Sequence, residues 1–427
     1  MDRENWAVHN NSRTGRGLVV LLLISLFSKL LLLVFGIEGD RLGLSLPISG
    51  AWEDYTYAYV PTVQAFKGGN LPYRDFFHAY PPLFLYVLTA FSVLPYSWSM
   101  ALPLVVSDAL TVVPVYLIGE HLYDGHKAFL ASLLFALAPI NLFYVDYLWL
   151  NPPLTTLFLL ISVHHLLEGR RDRSAITLAL SIGFKQTSLL ALPIILFFLA
   201  KRVSRKQVLR YLLIVASLCF ALSVPYIFLE PKLYLFSIFR VPIGAWGDLP
   251  ENYFQLGFTN PPGSGTMDTA TLEWYQLKWM KYAPLTAPAS LSLPIFIFLL
   301  PETASNMYPM TDLALKILLL TAYGILLYNT HRREQIQDKV LINRVLYSLL
   351  ALFTFNPVYK YYVAGIIPFL ALLGQKRRDL IAFEAFNVAL LAIPRLLTPY
   401  LLLLLLGWLL RPQLGRVLKP GLEEKLS

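Results

Sequence analysis

The residues best suited to chemistry lie between positions 52 and 85, in a polar stretch that follows the first long apolar run. Glu53 and Asp54 begin this stretch, and Arg74 and Asp75 follow in its second half. A carboxylate can take a proton from a hydroxyl, and a cation can hold negative charge on a departing group. Aromatic side chains that suit a sugar surround these groups: Trp52, Tyr55, Tyr57, Tyr59, Tyr73 and Tyr80.

Asp54 is the preferred candidate for the general base, and Glu53 is the alternative. Asp54 stands at the start of a predicted helix, where a carboxylate complements the helix dipole. Glu53 would point elsewhere and could simply be solvated. The sequence Gly68-Gly69-Asn70 predicts a turn that ends this helix. The apolar face of the helix would contain Ala58, Val63 and Phe66.

Basic side chains supply candidate partners for a lipid phosphate, because arginine binds phosphate through two bonds and lysine acts as a point charge. Taken singly, each candidate also fits a structural role, such as an ion pair between neighbours or a hydrogen-bonded histidine. Their concentration on one side of a membrane favours function. The candidate phosphate partners are Arg74, His78, Lys185 and Lys360, and the candidate sugar or acceptor contacts are Trp52, Tyr55, Tyr73, Asp75 and Tyr80.

The composition predicts an integral membrane protein. Hydrophobic residues make up 56% of the 427 positions and charged residues 14%, whereas soluble proteins carry about 25% charged residues. Leu-rich runs recur from Leu18 to Leu410, and about 20 apolar residues span a bilayer. We therefore predict one all-α polytopic membrane domain over residues 1–427, with about twelve transmembrane helices. The one cysteine, Cys219, excludes a disulfide framework and a cysteine-based metal cluster.

The distribution of basic residues predicts the topology. Of 35 Lys and Arg residues, 23 fall in short segments assigned to the cytoplasm, including both termini. The large extracytoplasmic loops, 37–98 and 230–311, are poor in basic residues despite their length. The charge of +9 therefore reflects membrane topology, and a nucleic-acid partner is not expected.

Several segments do not fit a simple series of spans. The apolar stretch 82–94 is short and is interpreted as a helix in the outer leaflet, and 284–300 as re-entrant. The stretch 174–200 is interpreted as two short spans that meet at Phe184-Lys185-Gln186, where the lysine would be an anion site or a surface marker of a hairpin. Lys29 and Asp108 lie inside spans, where each could serve a substrate or face a neighbouring helix.

The first loop resembles that of the GT-C glycosyltransferases, polytopic enzymes that use polyprenyl-phosphate sugars. The resemblance is carried by Asp54-Tyr55, the glycine turn, Pro72-Tyr73 and Tyr80-Pro81-Pro82-Leu83. The polyprenyl-phosphate-mannose-dependent mannosyltransferases, including the first mannosyltransferase of GPI-anchor assembly, are the most similar. Further matches, from about Leu18 to Leu373, are Ser107-Asp108, Phe184-Lys185-Gln186, Phe355-Asn356-Pro357 and Tyr361-Tyr362.

The resemblance implies inverting transfer of a hexose, mannose first, from a dolichyl or polyprenyl phosphate to a glycolipid or glycan acceptor outside the cytoplasm. It implies Asp54 as the base and no nucleotide-sugar site. These mannosyltransferases often carry Asp-x-Asp in the first loop, whereas Trp52 occupies the earlier position here. This departure leaves open the donor sugar and whether a divalent metal is required. Without a soluble C-terminal domain bearing Trp-Trp-Asp, the chain is not expected to be an oligosaccharyltransferase.

Two other functions are consistent with a polytopic chain. A transporter or lipid-linked-sugar flippase would need polar residues along a path through the helices, and a scaffold of a glycan-assembly complex would not need the loop acids. The predicted spans are nearly free of charge apart from Lys29, Asp108, Lys185 and Lys316, which favours chemistry at the surface. No ER-retention tetrapeptide ends the chain, and a prokaryotic plasma membrane is the expected location.

Overall fold

The computed structural model describes residues 3–42, 55, 59–76, 78–235, 237–238, 304–355, 360–373, 377–393 and 397–418. Within these ranges the regular structure is helical, and the one β-type pairing is an isolated bridge between Pro72 and Phe76. The predicted all-α class is therefore confirmed for this part of the chain. Most of the predicted loop 230–311, with the apolar stretch 284–300, lies outside the described residues.

The helices of the first half follow one another through short connections. A π-helix, Asn141–Tyr147, lies between α6 and α7, and a 3-10 helix, Gln186–Leu190, lies between α8 and α9. The α-helices are α1 (Arg3–Leu42), α2 (Val60–Lys67), α3 (Pro82–Phe91), α4 (Tyr96–Leu110), α5 (Val112–Leu122), α6 (Gly125–Ala136), α7 (Pro153–Leu167), α8 (Arg171–Phe184), α9 (Ala191–Ala200), α10 (Arg205–Leu229) and α11 (Pro231–Leu235).

The described helices of the second half form a smaller group. A 3-10 helix, Lys360–Ile366, runs directly into α14. The α-helices are α12 (Ala304–His331), α13 (Asp338–Phe355), α14 (Ile367–Leu373), α15 (Arg377–Ala392) and α16 (Thr398–Leu418).

Length and apolar composition identify candidate membrane spans. Four helical stretches among the described residues qualify, and α6 with the π-helix, bent by 56°, would be a fifth if the pair forms one span. The remaining apolar helices are shorter, at 10–17 residues. These helices indicate a membrane protein, whereas the predicted number of about twelve spans stays a prediction. The four stretches are Gly15–Gly39, Tyr96–Leu122, Arg205–Leu229 and Leu313–His331.

The glycine turn after α2, a short helix in the stretch 82–94 and the break in the stretch 174–200 are confirmed, whereas their placement in the membrane stays a prediction. Helix α2 ends at the predicted turn, where Gly69 has a φ of +89°, a conformation that glycine adopts without a steric penalty. The apolar stretch 82–94 contains the separate short helix α3. The stretch 174–200 breaks at Lys185, since α8 ends at Phe184 and the 3-10 helix begins at Gln186.

Two clusters of buried apolar side chains set the position of the first loop relative to the rest. The larger cluster joins α5 to α9 with helices of the second half. The smaller cluster packs α2, α3 and α4 against Trp149 and Phe184. The end of the first loop therefore rests on the same surface as the break at Lys185.

Candidate active site

The break at Lys185 is held by hydroxyl groups. Thr155 Oγ1 donates to the Ser181 carbonyl at 2.7 Å, and Ser181 Oγ donates to the Thr155 carbonyl at 2.6 Å. The hydroxyls of Ser181 and Ser188 lie 2.7 Å apart across the break. These buried hydroxyls find their partners on the neighbouring helix, and the bonds tie the last turn of α8 to the first turn of α7.

The Lys185 side chain lies in a cage of aromatic rings. Its ammonium is 3.5 Å from the centroid of the Tyr362 ring, 5.6 Å from that of Tyr80 and 5.7 Å from that of Tyr361. It also donates to the backbone carbonyl of Asn151 at 3.2 Å. Since Lys185 is only 6% exposed, these contacts are what compensates the ammonium for lost hydration.

The cage brings together three parts of the chain that the sequence separates widely. Tyr80 comes from the end of the first loop, Lys185 from the α8 break, and Tyr361 and Tyr362 from the 3-10 helix that precedes α14. Gln186 adds a direct link, because its side-chain amide donates to the Ala79 carbonyl at 3.3 Å. Three of the motifs that carry the GT-C resemblance, those of Tyr80, Lys185 and Tyr361-Tyr362, thus meet around one buried cation.

A narrow pocket opens beside Lys185. Its lining combines a cation and hydroxyl groups with apolar side chains. Ammonium and hydroxyl groups are donors for anionic oxygens, but the pocket has a volume of about 20 Å³ and is mostly apolar, so a phosphate group would reach these donors only if the lining side chains moved. The lining includes Thr155, Thr156, Lys185, Ser188, Phe353 and Tyr362.

Tyr73 connects the end of the first loop to α10 and α11. Its hydroxyl donates to the Tyr80 carbonyl at 2.6 Å, and its ring packs edge-on at 4.9 Å against both Tyr226 and Tyr234. Tyr73 is fully buried and has a φ of 69°, which is uncommon for a residue with a side chain. The surrounding rings therefore hold a backbone conformation that the isolated chain would avoid.

His78 is buried between aromatic rings and is neutral. Burial lowers its pKa to about 3, although a hydrogen bond to the backbone of Pro81 acts in the opposite direction. Proline has no N–H, so the imidazole is the donor in that bond. Nε2 has no hydrogen-bond partner, which leaves Nδ1 as the donor and a lone pair on Nε2. In this state His78 offers an acceptor, not a cation.

Arg74 and Asp75 form an exposed ion pair. Arg74 Nε and Nη2 each donate to one carboxylate oxygen of Asp75 at 2.8 Å. The bonds from Arg74, and one from the Leu71 amide, lower the pKa of Asp75. The predicted phosphate partner and the predicted sugar contact therefore bind each other in this structure.

Lys360 is buried, and its ammonium donates to the carbonyls of Leu391 and Ile393 at 3.1 and 2.8 Å. These carbonyls belong to the end of α15, where a cation complements the helix dipole. The cage contacts involve Lys185 and not Lys360. A phosphate-binding role for Lys360 stays a prediction.

Trp52, Glu53 and Asp54, which include the predicted base, lie outside the described residues. Tyr55, directly after them, is half-buried and packs edge-on against Trp149 with ring centroids 5.3 Å apart. Trp149 itself has a φ of 57°. The chain next to Asp54 is therefore anchored close to the turn that carries Asn151.

Some contributors to the cage could not be chosen from sequence. Tyr361 and Tyr362 were part of the resemblance but were not assigned as site residues. Asn151 acts through its carbonyl, which every residue possesses, so its side-chain type gave no signal. The sequence singled out the intramembrane charges Lys29 and Asp108, but not Asp146, the second partner of Lys29.

Metal binding was left open by the sequence. Among the residues that the structure describes, no group of three or more His, Cys, Asp or Glu side chains could hold a metal ion. Because Glu53 and Asp54 lie outside this part, the metal dependence of the first loop stays an open prediction.

Comparisons with known proteins complete the description of the site. Residues 77–253 match the model of Glycosyltransferase family 87. This segment contains His78, Tyr80 and Lys185, but not Asp54 or Tyr362. The match supports a glycosyltransferase. No curated protein matches the chain.

Solved structures of an archaeal enzyme are similar over most of the chain. The Archaeoglobus fulgidus oligosaccharyltransferase in its apo form is 14% identical with a TM-score of 0.45, covering 90% of this chain and 55% of that one. The AglB oligosaccharyltransferase of the same organism, with an inhibitory peptide and a dolichol-phosphate, is 14% identical with a TM-score of 0.43, covering 91% and 56%. This chain thus spans about half the length of those proteins. At TM-scores below 0.5 these similarities do not define its fold or activity.

Proposed function

We propose that this protein is a membrane glycosyltransferase that moves a hexose from a polyprenyl or dolichyl phosphate to a glycolipid or glycan acceptor. The observation that carries the proposal is the convergence of the Tyr80, Tyr361 and Tyr362 rings on the buried Lys185 ammonium, beside a narrow pocket whose lining includes hydroxyl groups. The family match over residues 77–253 supports the same class of enzyme. Mannose is the proposed hexose, from the first-loop resemblance.

The proposed reaction is a single displacement at the anomeric carbon of the sugar. Asp54 takes the proton of the acceptor hydroxyl, and the hydroxyl oxygen forms a bond to the anomeric carbon. The bond between that carbon and the phosphate oxygen breaks, and the lipid phosphate departs with the electron pair. Attack from the side opposite the phosphate inverts the configuration. Glu53 is the alternative base.

Lys185 is proposed to hold the phosphate. The donor phosphate is a diester with a single negative charge, and it gains a second charge as the glycosidic bond breaks and the lipid phosphate monoester departs. A preorganised cation in a water-poor site stabilises that charge without reorganisation. The aromatic cage restricts the ammonium to a small volume, and the neighbouring hydroxyls add donors. The caged ammonium is therefore positioned to bind the departing phosphate instead of water.

The remaining first-loop residues are proposed to bind substrate at the edges of the site. Arg74 could bind phosphate only after exchanging Asp75, its present partner, for the ligand. A neutral His78 could not supply a cation, so its contribution to donor binding would require protonation or the other tautomer. Tyr55 and Tyr80, with Trp52, are proposed to contact sugar or acceptor. Tyr73 was predicted to do the same, but it is fully buried, and we propose that it supports Tyr80 through its hydroxyl bond to the Tyr80 carbonyl.

The proposed setting is a multi-pass membrane protein of a prokaryotic plasma membrane, with both termini in the cytoplasm and the first loop outside. The donor and acceptor would then meet at the outer membrane surface. The apolar helices supply the membrane association. Loop orientation is testable by labelling single cysteines in the first loop of intact cells.

The test uses purified protein in lipid with radiolabelled dolichyl-phosphate-mannose and a crude glycolipid extract. The wild type should transfer label, Asp54→Asn should not, and Glu53→Gln should retain most of the activity. Full activity in Asp54→Asn would refute the assigned base. If the wild type transfers neither mannose nor glucose from its dolichyl phosphate, a flippase assay on the same vesicles decides for the transporter alternative.

A further inference from the structure

A buried ion network joins α1, α4 and the π-helix. The Lys29 ammonium forms salt bridges with Asp108 and with Asp146, the latter at 2.9 Å. Asp108 accepts a further bond at 2.8 Å from the side-chain amide of Asn141. Lys29, Asp108, Asn141 and Asp146 are each at most 2% exposed. One cation therefore holds two carboxylates from different helices inside candidate spans.

This network is more than a pairing of two helices. Removing water from one cation and two carboxylates is costly, and a well-packed apolar cluster would stabilise the same contact with no such cost. The π-helix that supplies Asp146 is a rare element that is frequently found at functional sites. These features indicate that the network fixes the position of the residues after Asp146.

The residues after Asp146 lead directly to the candidate site. Residues 146–151, which we name the 146–151 turn, run from the ion network to Asn151. The Asn151 carbonyl accepts the bond from the Lys185 ammonium at 3.2 Å. This short turn therefore connects the carboxylate that Lys29 holds to the carbonyl that Lys185 contacts.

Trp149 places the same turn against α1 and the first loop. A Cβ added to Gly36 of α1 would lie 3.0 Å from the Tyr147 carbonyl oxygen and 3.2 Å from the Trp149 ring, so any other residue would require the turn to shift by a few tenths of an ångström. Trp149 also contacts the first loop, because the Tyr55 ring packs edge-on against the Trp149 ring. The left-handed backbone of Trp149 is maintained by these neighbours.

We propose that Lys29, Asp108 and Asp146 are positioning residues, which fix the 146–151 turn and thereby the distance between Lys185 and the chain that carries the predicted base. The inference rests on the proposed function for its catalytic consequence. Lys29 holds Asp146, the turn carries the Asn151 carbonyl to Lys185, and Trp149 supports Tyr55 next to Asp54. Neither Lys29 nor the two acids contacts substrate in this scheme.

Asp146→Asn is the variant that isolates the effect. It preserves side-chain shape and leaves Lys29 paired one-to-one with Asp108, so the charges stay balanced. Amide hydrogen exchange of the 146–151 turn, measured on the full chain in lipid nanodiscs, should accelerate at least tenfold. Exchange equal to the wild type would overturn the proposal, whatever the transfer activity of the protein.

A double-mutant cycle with Lys185 separates positioning from simple stability. Asp146→Asn should lower transfer from dolichyl-phosphate-mannose about tenfold in the wild-type background, since a 1 Å misplacement can cost up to about a hundredfold. In the Lys185→Met background the same substitution should lower the residual transfer by a clearly smaller factor, because only the support of Tyr55 through Trp149 remains to be lost. An equal loss in both backgrounds would refute the coupling through Lys185.

The matched control is Asp172→Asn, which removes an exposed carboxylate paired with Arg210. It should change neither the amide hydrogen exchange of the 146–151 turn nor the rate of sugar transfer. If Asp146→Asn does not fold, the neutral variant Lys29→Met/Asp108→Asn/Asp146→Asn takes its place in both measurements. If the wild type transfers no sugar, the proposed function fails, and the exchange measurement still decides whether Asp146 fixes the turn.

Discussion

Replacing Lys185 with methionine tests the candidate site most directly. Methionine has a similar length and no charge, so the cage keeps its packing. The folded protein loses the cation–π contact with Tyr362, about 2 kcal/mol for a desolvated ammonium, and the charge-assisted bond to the Asn151 carbonyl, about 1.5–3 kcal/mol. It no longer has to bury a charge, which costs several kcal/mol. The opposing effects are similar in size, so the free energy of unfolding should change by only about 1 kcal/mol.

The effect on activity should be much larger. Removing one positioned donor from a site of developing negative charge typically lowers the rate by about 10² to 10³, equivalent to about 2.7–4 kcal/mol. Lys185→Met should therefore lose most transfer while keeping its fold. Lys185→Arg keeps the charge but enlarges the group within 3.5 Å of the Tyr362 centroid, so intermediate activity is expected.

The assay combines single-turnover transfer from radiolabelled dolichyl-phosphate-mannose with thermal unfolding in detergent. Lys316→Met is the control, because Lys316 lies in the candidate span of α12, remote in sequence from the cage. It should unfold and transfer as the wild type does. Wild-type transfer by a folded Lys185→Met protein would show that the caged ammonium does not hold the donor phosphate.

Two further substitutions test the surroundings of the site and the helix packing. The pKa of His78 is about 3 in the folded protein and 6.5 in the unfolded chain. Below pH 6.5 the unfolded chain therefore binds a proton that the folded protein does not, and the free energy of unfolding falls as the pH drops. The free energy of unfolding should fall by about 2 kcal/mol at pH 5. Unfolding curves of His78→Phe at pH 7 and pH 5 should lack this fall. The same pH dependence of stability in wild type and variant would contradict a buried neutral histidine. Gly119→Ala places a Cβ 3.0 Å from the Ala128 Cα across the α5–α6 contact and should destabilise by about 1–3 kcal/mol. Gly324→Ala, with nothing within 4 Å, should leave the unfolding temperature unchanged or raise it, and equal shifts for both variants would refute the close-packing argument.

The local features of the fold were predictable because their causes are local. Apolar runs predicted the helices, and a pair of glycines predicted the end of α2. The length of the stretch 174–200 and the basic residues on both of its flanks predicted the break near position 185, because a single span would leave those flanks on opposite sides of the membrane. The number of spans was not predictable in the same way, because short apolar helices can cross, dip or pack inside the protein.

The sequence by itself determined the helical class, the positions of the breaks and turns, and the types of residue available for chemistry. Only the tertiary structure decided that Tyr80, Tyr361 and Tyr362 surround Lys185, and that Lys360 instead binds the end of α15. It also decided that Lys29 joins Asp108 to Asp146. The physical reason is that such partnerships depend on which helices pack together, and on backbone carbonyls that carry no side-chain signature.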